Sequence, residues 1–151
     1  MLKVIENYPP ILLVLSMIFL WMLTRMLGGV SYAALTPLAL ICFAVASILM
    51  LLAANTFRNH QTPIMPDRTA NTLITSGVFK YSRNPIYLAM AVALLGFGIF
   101  LGAPLSLLIV PMFMWRVTKT HIFHEEHMLQ FEFPEATKAY FTKTPRWIGP
   151  I

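Results

Sequence analysis

Charged residues are scarce in this sequence. They make up 11% of the 151 residues, whereas 58% of the residues are hydrophobic. A soluble domain usually carries about 25% charged residues. So few charges cannot cover a water-facing surface, which excludes a soluble domain and indicates a membrane protein. The length allows one domain, residues 1–151.

Cysteines and nucleotide-binding motifs are equally scarce. The single cysteine, Cys42, lies in an apolar run, so no intrachain disulfide can form. No Walker sequence and no dinucleotide-binding fingerprint is present, which excludes nucleotide binding of the P-loop or Rossmann type. The basic residues are scattered between apolar segments instead of forming one stripe, so nucleic-acid binding is not expected.

Long apolar runs occupy much of the remaining sequence. About 20 apolar residues cross a bilayer as a helix. The first two runs predict spans at about 11–27 and 37–54, with Thr36 as the N-cap of the second span. A cleaved signal peptide is the less favoured interpretation of the first run, because its apolar part is long and no A-x-A cleavage site follows it.

A third apolar run, residues 86–115, is too long for one span. Gly102-Ala103-Pro104 divides it, which predicts a helical hairpin with spans at about 86–101 and 105–120. We expect the second helix to project out of the bilayer, with a kink at Pro111, and a last short helix to begin at Pro134. The fold class predicted is an all-α polytopic membrane protein with about four transmembrane helices and short cytoplasmic C-terminal helices.

The basic residues predict the orientation of these spans. With the N-terminus inside, ten of the eleven Lys and Arg residues face the cytoplasm and only Arg25 lies outside, as the positive-inside rule favours. The cytoplasmic ten are Lys3, Arg58, Arg68, Lys80, Arg83, Arg116, Lys119, Lys138, Lys143 and Arg146. Segments 55–85 and 121–151 would then face one compartment, together with both termini.

Four of the six acidic residues lie between residues 125 and 135. On a helix, Glu126 shares an apolar stripe with Ile122 and Leu129. A carboxylate on such a stripe needs a cationic partner or becomes protonated. Arg83 is the predicted partner. The alternative is an ordinary salt bridge from Glu126 to a lysine at the headgroup level.

The string "HIFHEEH", residues 121–127, resembles a metal motif only superficially. A metalloprotease helix needs two residues between its glutamate and its second histidine, and this spacing is absent. We expect no metal site, and histidines that are solvated at the interface.

Short motifs in the second half of the chain occur in a recognisable order. They are Thr75, Gly77 and Phe79; then Arg83, Asn84, Pro85 and Tyr87; then Glu125, Glu126 and Leu129; and finally Tyr140, Pro145 and Arg146. With the hairpin between them, they resemble the isoprenylcysteine carboxyl methyltransferase and phospholipid methyltransferase family of integral membrane enzymes. The resemblance covers residues 72–148. Asn84 replaces the histidine of the isoprenylcysteine enzymes, which weakens any inference about the substrate.

The resemblance implies S-adenosylmethionine as methyl donor, bound at the cytoplasmic face. Its cationic part would suit Glu126 and Glu125, and Arg83 would orient a carboxylate of donor or acceptor. These three are the candidate catalytic residues. The candidate cofactor-binding residues are Thr75, Gly77, Tyr81, Asn84, Pro85, Tyr87 and Glu126. The segment from Thr75 to Tyr81 would contribute backbone groups.

The function predicted is methyl transfer to a lipophilic or lipid-modified acceptor, a carboxylate or an amine, among membrane lipids. Two alternatives stay open at this point. One is an NAD(P)H-dependent membrane reductase of the sterol-reductase type, although the short tail after residue 116 offers few basic residues for a phosphate. The other is a non-catalytic lipid-binding membrane subunit.

Overall fold

The computed structural model describes residues 8–27, 33–61 and 72–149, and every regular element in these ranges is helical. The α-helices are α1 (Pro9–Leu27), α2 (Thr36–Asn59), α3 (Pro85–Phe100), α4 (Ser106–Val117), α5 (Phe123–Glu132) and α6 (Pro134–Phe141). Short 3₁₀ turns cover Ala33–Leu35 and Gly77–Lys80. The all-α class is therefore confirmed for the described part of the chain.

The first two helices are long, apolar and poorly covered by the rest of the protein. Helix α1 has 19 residues and α2 has 24, and both are long and apolar enough to cross a membrane. Large apolar side chains such as Phe19, Ile41 and Leu51 are exposed along them. Contiguous apolar surface of this kind marks contact with a membrane or a partner. Helix α2 begins at Thr36 and is preceded by Leu35, so the prediction of Thr36 as N-cap is wrong by one position.

Helix α3 forms the centre of the fold and packs chiefly against α2. Small residues make this close packing possible. Ala39, Ala46 and Ala53 recur every seven residues on the buried side of α2. On α3, a β-carbon added to Gly96 would lie 2.8 Å from Cβ of Cys42. Small residues at such contacts let two backbones approach closely within a membrane.

The chain turns sharply between α3 and α4. Gly102 has φ of 63°, a left-handed conformation that glycine adopts readily, and residues 101–105 form the turn. Across it, Gly98 on α3 lies directly against Ser106 on α4. The predicted break of the apolar run and the helical hairpin are both confirmed.

From α4 the chain stays helical through a π-helical segment, Thr118–Ile122, into α5. Pro111, where a kink was predicted, lies inside the continuous helix α4. The helix changes from α to π geometry only later, at Thr118–Ile122. A π segment contains one extra residue per turn and is frequent at functional sites. Helix α6 begins at Pro134, as predicted.

Two helices satisfy the length expected for a membrane span, and four spans stay a prediction. Helix α3 has 16 residues and α4 has 12, both shorter than a typical crossing. The basic residues at positions 3 and 68, and residues 62–71 of the predicted cytoplasmic segment 55–85, lie outside the described residues.

Candidate functional site

Arg83, Glu126 and Arg146 meet at the N-terminal end of α3. Arg146 binds Glu126 with two hydrogen bonds, from Nε to Oε1 over 2.9 Å and from Nη2 to Oε2 over 2.6 Å. Nη1 of Arg83 lies 3.4 Å from Oε1 of the same carboxylate. The sequence-predicted ion pair between Arg83 and Glu126 is present, but the closer partner of Glu126 is Arg146. A bidentate guanidinium–carboxylate pair of this kind is among the strongest ionic hydrogen bonds.

The Arg83 side chain lies deep in this cluster, with 12% of its surface exposed. Its Nε and Nη1 atoms are buried and have no hydrogen-bond partner. The guanidinium carbon lies 3.9 Å from the ring centre of Phe141, and burial lowers the pKa of the group. Buried donors without acceptors are uncommon, and here they suit an anionic group of a ligand.

A second polar group lies one residue earlier on α5. The hydroxyl of Tyr87 on α3 donates a hydrogen bond to Oε1 of Glu125 over 2.5 Å. Burial raises the pKa of the Glu125 carboxyl to about 7, while the hydrogen bond from Tyr87 lowers it. The buried ring of His121 stacks on Tyr87, with ring centres 6.3 Å apart. Burial lowers the pKa of His121, and the nearby charge of Arg116 lowers it further.

The segment 142–149 follows α6 and lies against residues 80–84; we call it the C-terminal strap. The amide of Arg83 donates to the carbonyl of Pro145 over 3.0 Å. The carbonyl of Arg146 accepts from Nδ2 of Asn84 over 2.9 Å and from Oγ of Ser82 over 3.3 Å. Arg146, whose side chain binds Glu126, therefore belongs to a segment that is hydrogen-bonded to the residues just before α3.

Another bond joins α6 to the 3₁₀ turn Gly77–Lys80. The hydroxyl of Tyr140 donates to the carbonyl of Phe79 over 2.7 Å. Phe79 packs edge-on against Phe57 near the C-terminal end of α2, where Arg58 also lies. Segments 72–84 and 123–147 thus meet at one end of the helices, as the sequence predicted for its two polar segments.

Several of the predicted cofactor-binding residues lie in this cluster. Pro85 is buried at the first position of α3, and Tyr87 binds Glu125. Asn84 is buried and binds the strap through its side chain. Their contact with a cofactor stays a prediction.

Three other predicted residues lie apart from the cluster. Thr75, Gly77 and Tyr81 are exposed. Gly77 has φ of 60° and lies against Oγ1 of Thr56 on α2. These residues border the polar end of the fold, and their binding role stays a prediction.

Two residues of the cluster were underestimated from the sequence. Arg146 was recognised only as part of a closing motif, because no periodicity links it to Glu126, twenty positions away. His121 was expected to be solvated but is 6% exposed, so that expectation is wrong for this residue. The π segment that carries His121 gives no obvious sequence signal. Within the described ranges, no group of three or more metal-binding side chains occurs.

The cluster combines acidic and basic side chains. Glu125 and Glu126 provide two carboxylates, of which Glu126 is paired with both arginines, and Nε and Nη1 of Arg83 are buried donors without a hydrogen-bond partner. The family model described as phospholipid methyltransferase matches residues 35–136, more than half of the chain, and includes Arg83, Glu125 and Glu126. No curated protein and no solved structure gives a significant match. The extent of the family match shows that the chain belongs to the phospholipid methyltransferase family.

Proposed function

We propose that this protein transfers a methyl group from S-adenosylmethionine to a lipophilic acceptor at the cytoplasmic face of a membrane. Family membership indicates a methyltransferase of the membrane-lipid type, and its members generally use this donor. The observation that carries the proposal for this chain is the cluster of Arg83, Glu125 and Glu126 beside apolar helices. A water-soluble charged donor and a membrane-embedded acceptor have to meet where polar groups adjoin apolar, membrane-facing helices.

The charges of the cluster suit the donor's separate ionic groups. The carboxylates of Glu126 and Glu125 would hold its cationic part, and Nε and Nη1 of Arg83, which lack a hydrogen-bond partner, would hold its carboxylate. Thr75, Gly77, Tyr81, Asn84, Pro85 and Tyr87 would line the surrounding wall. When bound, S-adenosylmethionine supplies an activated methyl group for in-line displacement. The protein then contributes chiefly by orienting the reactants and excluding water.

The acceptor can be a carboxylate or an amine. A carboxylate needs no base, whereas an ammonium group has to lose a proton before it attacks. Glu125, with a pKa of about 7, is ionised in part of the molecules at neutral pH and would then assist an amine acceptor. The exposed apolar residues of α1, α2 and α4 would contact lipid and lead a membrane-embedded acceptor to the site.

Calorimetric titration with S-adenosylhomocysteine tests the proposal on purified protein in detergent. We expect saturable binding by the wild type and binding weakened tenfold or more in Arg83→Gln and Glu126→Gln. Arg58→Gln is the matched control, because it removes an exposed arginine at the same end of the helices. It should bind like the wild type.

Two results would contradict the proposal. The first is absence of binding by protein that retains its helical circular dichroism and elutes as a single species. The second is thermal stabilisation by NADPH but not by S-adenosylhomocysteine, which would favour the reductase alternative. If S-adenosylhomocysteine binds, mass spectrometry of lipid extracts after incubation with labelled donor would identify the acceptor.

A further inference from the structure

Glu126 is already fully engaged by the protein itself. Both of its oxygens accept hydrogen bonds from Arg146, over 2.9 and 2.6 Å. The carboxylate side chain is only 10% exposed, whereas the Arg146 side chain is 34% exposed. Of the two partners, the arginine is therefore the one that can leave towards solvent.

The charges around Glu126 disfavour the addition of another cation. Two guanidinium groups, from Arg83 and Arg146, face this one carboxylate. Both remain protonated at any physiological pH. A further cation next to this excess of positive charge would be repelled, but replacing one guanidinium by one ligand cation leaves the local charge unchanged.

We propose that Arg146 is a positioning residue that occupies Glu126 in the ligand-free protein and leaves it when the cationic end of the methyl donor binds. The inference rests on the proposed function. It means that the C-terminal strap blocks Glu126 in the ligand-free protein and moves away from it when the donor binds. Arg83, whose side chain is 12% exposed against 34% for Arg146, stays in place during the exchange.

We expect departure of the Arg146 side chain to loosen the strap, because few other hydrogen bonds hold the strap to residues 80–84. The carbonyl of Arg146 is held by Asn84 and Ser82, and Oγ1 of Thr144 donates to the carbonyl of Lys80 over a long 3.4 Å. The strap has no helix or strand of its own. Local segments held by a few partly exposed hydrogen bonds open at low free energy.

Trp147 provides a reporter next to the exchanging side chain. It is partly buried and packs against the central apolar cluster. The sequence contains three tryptophans, and the other two, Trp21 and Trp115, are exposed on apolar helices. A Trp21→Phe, Trp115→Phe protein therefore has Trp147 as its single tryptophan.

The first experiment measures acrylamide quenching of Trp147 in that protein. S-adenosylhomocysteine, which carries an ammonium and a carboxylate, should increase quenching at least twofold. Methylthioadenosine, which lacks the amino-acid end, is the control ligand and should leave quenching unchanged at saturation. Binding of S-adenosylhomocysteine without a change in quenching would overturn the inference and leave the proposed function intact. Absence of binding to the wild type would overturn both.

The second experiment compares affinities. Because Arg146→Gln removes the competitor for Glu126, S-adenosylhomocysteine should bind it at least threefold more tightly than it binds the wild type. Arg146→Lys, which keeps the positive charge, should return the affinity towards the wild-type value. Unchanged or weaker binding by folded Arg146→Gln would overturn the inference, since a residue that only supports the fold or directly binds the donor would behave in that way.

A milder variant covers the case in which Arg146→Gln does not fold. Thr144→Val removes one strap hydrogen bond and leaves Arg146 in place. In the single-tryptophan background, stopped-flow fluorescence should show association of S-adenosylhomocysteine at least twofold faster than in the parent. An association rate equal to that of the parent would count against displacement of the strap.

Discussion

Tyr87 on α3 donates a hydrogen bond to Glu125 on α5 over 2.5 Å and thereby joins the buried central helix to the first turn of α5. The bond stabilises the ionised form of a carboxyl group whose burial favours the protonated form. Glu125 therefore titrates near neutral pH, at about 7. The pH range in which Glu125 is ionised and can bind a cation thus depends on the hydroxyl of Tyr87.

Tyr87→Phe should raise the pKa of Glu125 above about 7. A hydrogen bond to a charged group contributes about 1.5–3 kcal/mol, so the shift should be on the order of one pH unit. Under the proposed function, the pH at which S-adenosylhomocysteine affinity is half its plateau should rise by the same amount. Calorimetry between pH 5.5 and 9 measures it. Glu125→Gln, which cannot ionise, is the control, and an unshifted midpoint in Tyr87→Phe would contradict the assignment.

Glu125→Gln should also change the pH dependence of stability. The folded-state pKa of about 7 lies above the ordinary glutamate pKa of 4.5. Between these values the folded state binds the extra proton, so this contribution to stability is complete below about 4.5 and is lost as pH rises through about 7. Glutamine avoids burial of a charge and still accepts the Tyr87 hydrogen bond.

The thermal midpoint of Glu125→Gln should therefore exceed that of the wild type at pH 8 and match it near pH 4.5. Each kcal/mol recovered raises the midpoint by about 2–4 °C for a domain of this size. Glu132→Gln, on the same helix and outside the cluster, is the comparison. An equal gain at both pH values would show that charge burial is not its cause.

His121 should make the fold sensitive to acid. Burial lowers its pKa in the folded state, so the unfolded state binds more protons below about 6.5. The stability linked to neutral His121 is complete above about 6.5 and decreases as pH falls through that value. His121→Gln should reduce the loss of thermal stability between pH 7 and 5.5. The exposed His124 provides the matched variant, His124→Gln, which should leave the loss unchanged.

The helices were predictable because their signals are local. Gly102-Ala103-Pro104 ends one helix, and Pro134 begins another, by backbone restrictions that act within a few residues. The Glu126 stripe was visible for the same reason, since i+4 and i+7 neighbours share a helix face. The motif order added Arg83, which indeed reaches Glu126.

The closer partner of Glu126, Arg146, was not predictable in the same way. Arg146 belongs to an irregular segment, and its position follows from tertiary hydrogen bonds to Ser82 and Asn84. His121 is buried because the π segment turns it towards Tyr87, and helical periodicity with 3.6 residues per turn misses this rotation. Both depend on how separate segments pack, which a single sequence does not reveal.

The contact between Gly98 and Ser106 should control the stability of the hairpin. Gly98→Ala would gain up to about 1 kcal/mol from helix propensity if the site were open. A β-carbon at position 98 would instead overlap Cβ of Ser106 and lie 2.6 Å from its Oγ, atoms of the adjoining helix. Overpacking of a tight contact costs about 1–3 kcal/mol, so the net effect should be destabilising.

Thermal unfolding in detergent measures this effect, and a second substitution identifies its source. Ser106→Gly removes the opposing β-carbon together with the hydroxyl that binds the carbonyl of Ala103. On its own it should destabilise, because it also weakens the start of α4. In the double variant the two losses should not add, because alanine at 98 then occupies the space vacated at 106, and the coupling should recover at least 1 kcal/mol. Strictly additive losses would mean that α3 and α4 do not meet at these two residues.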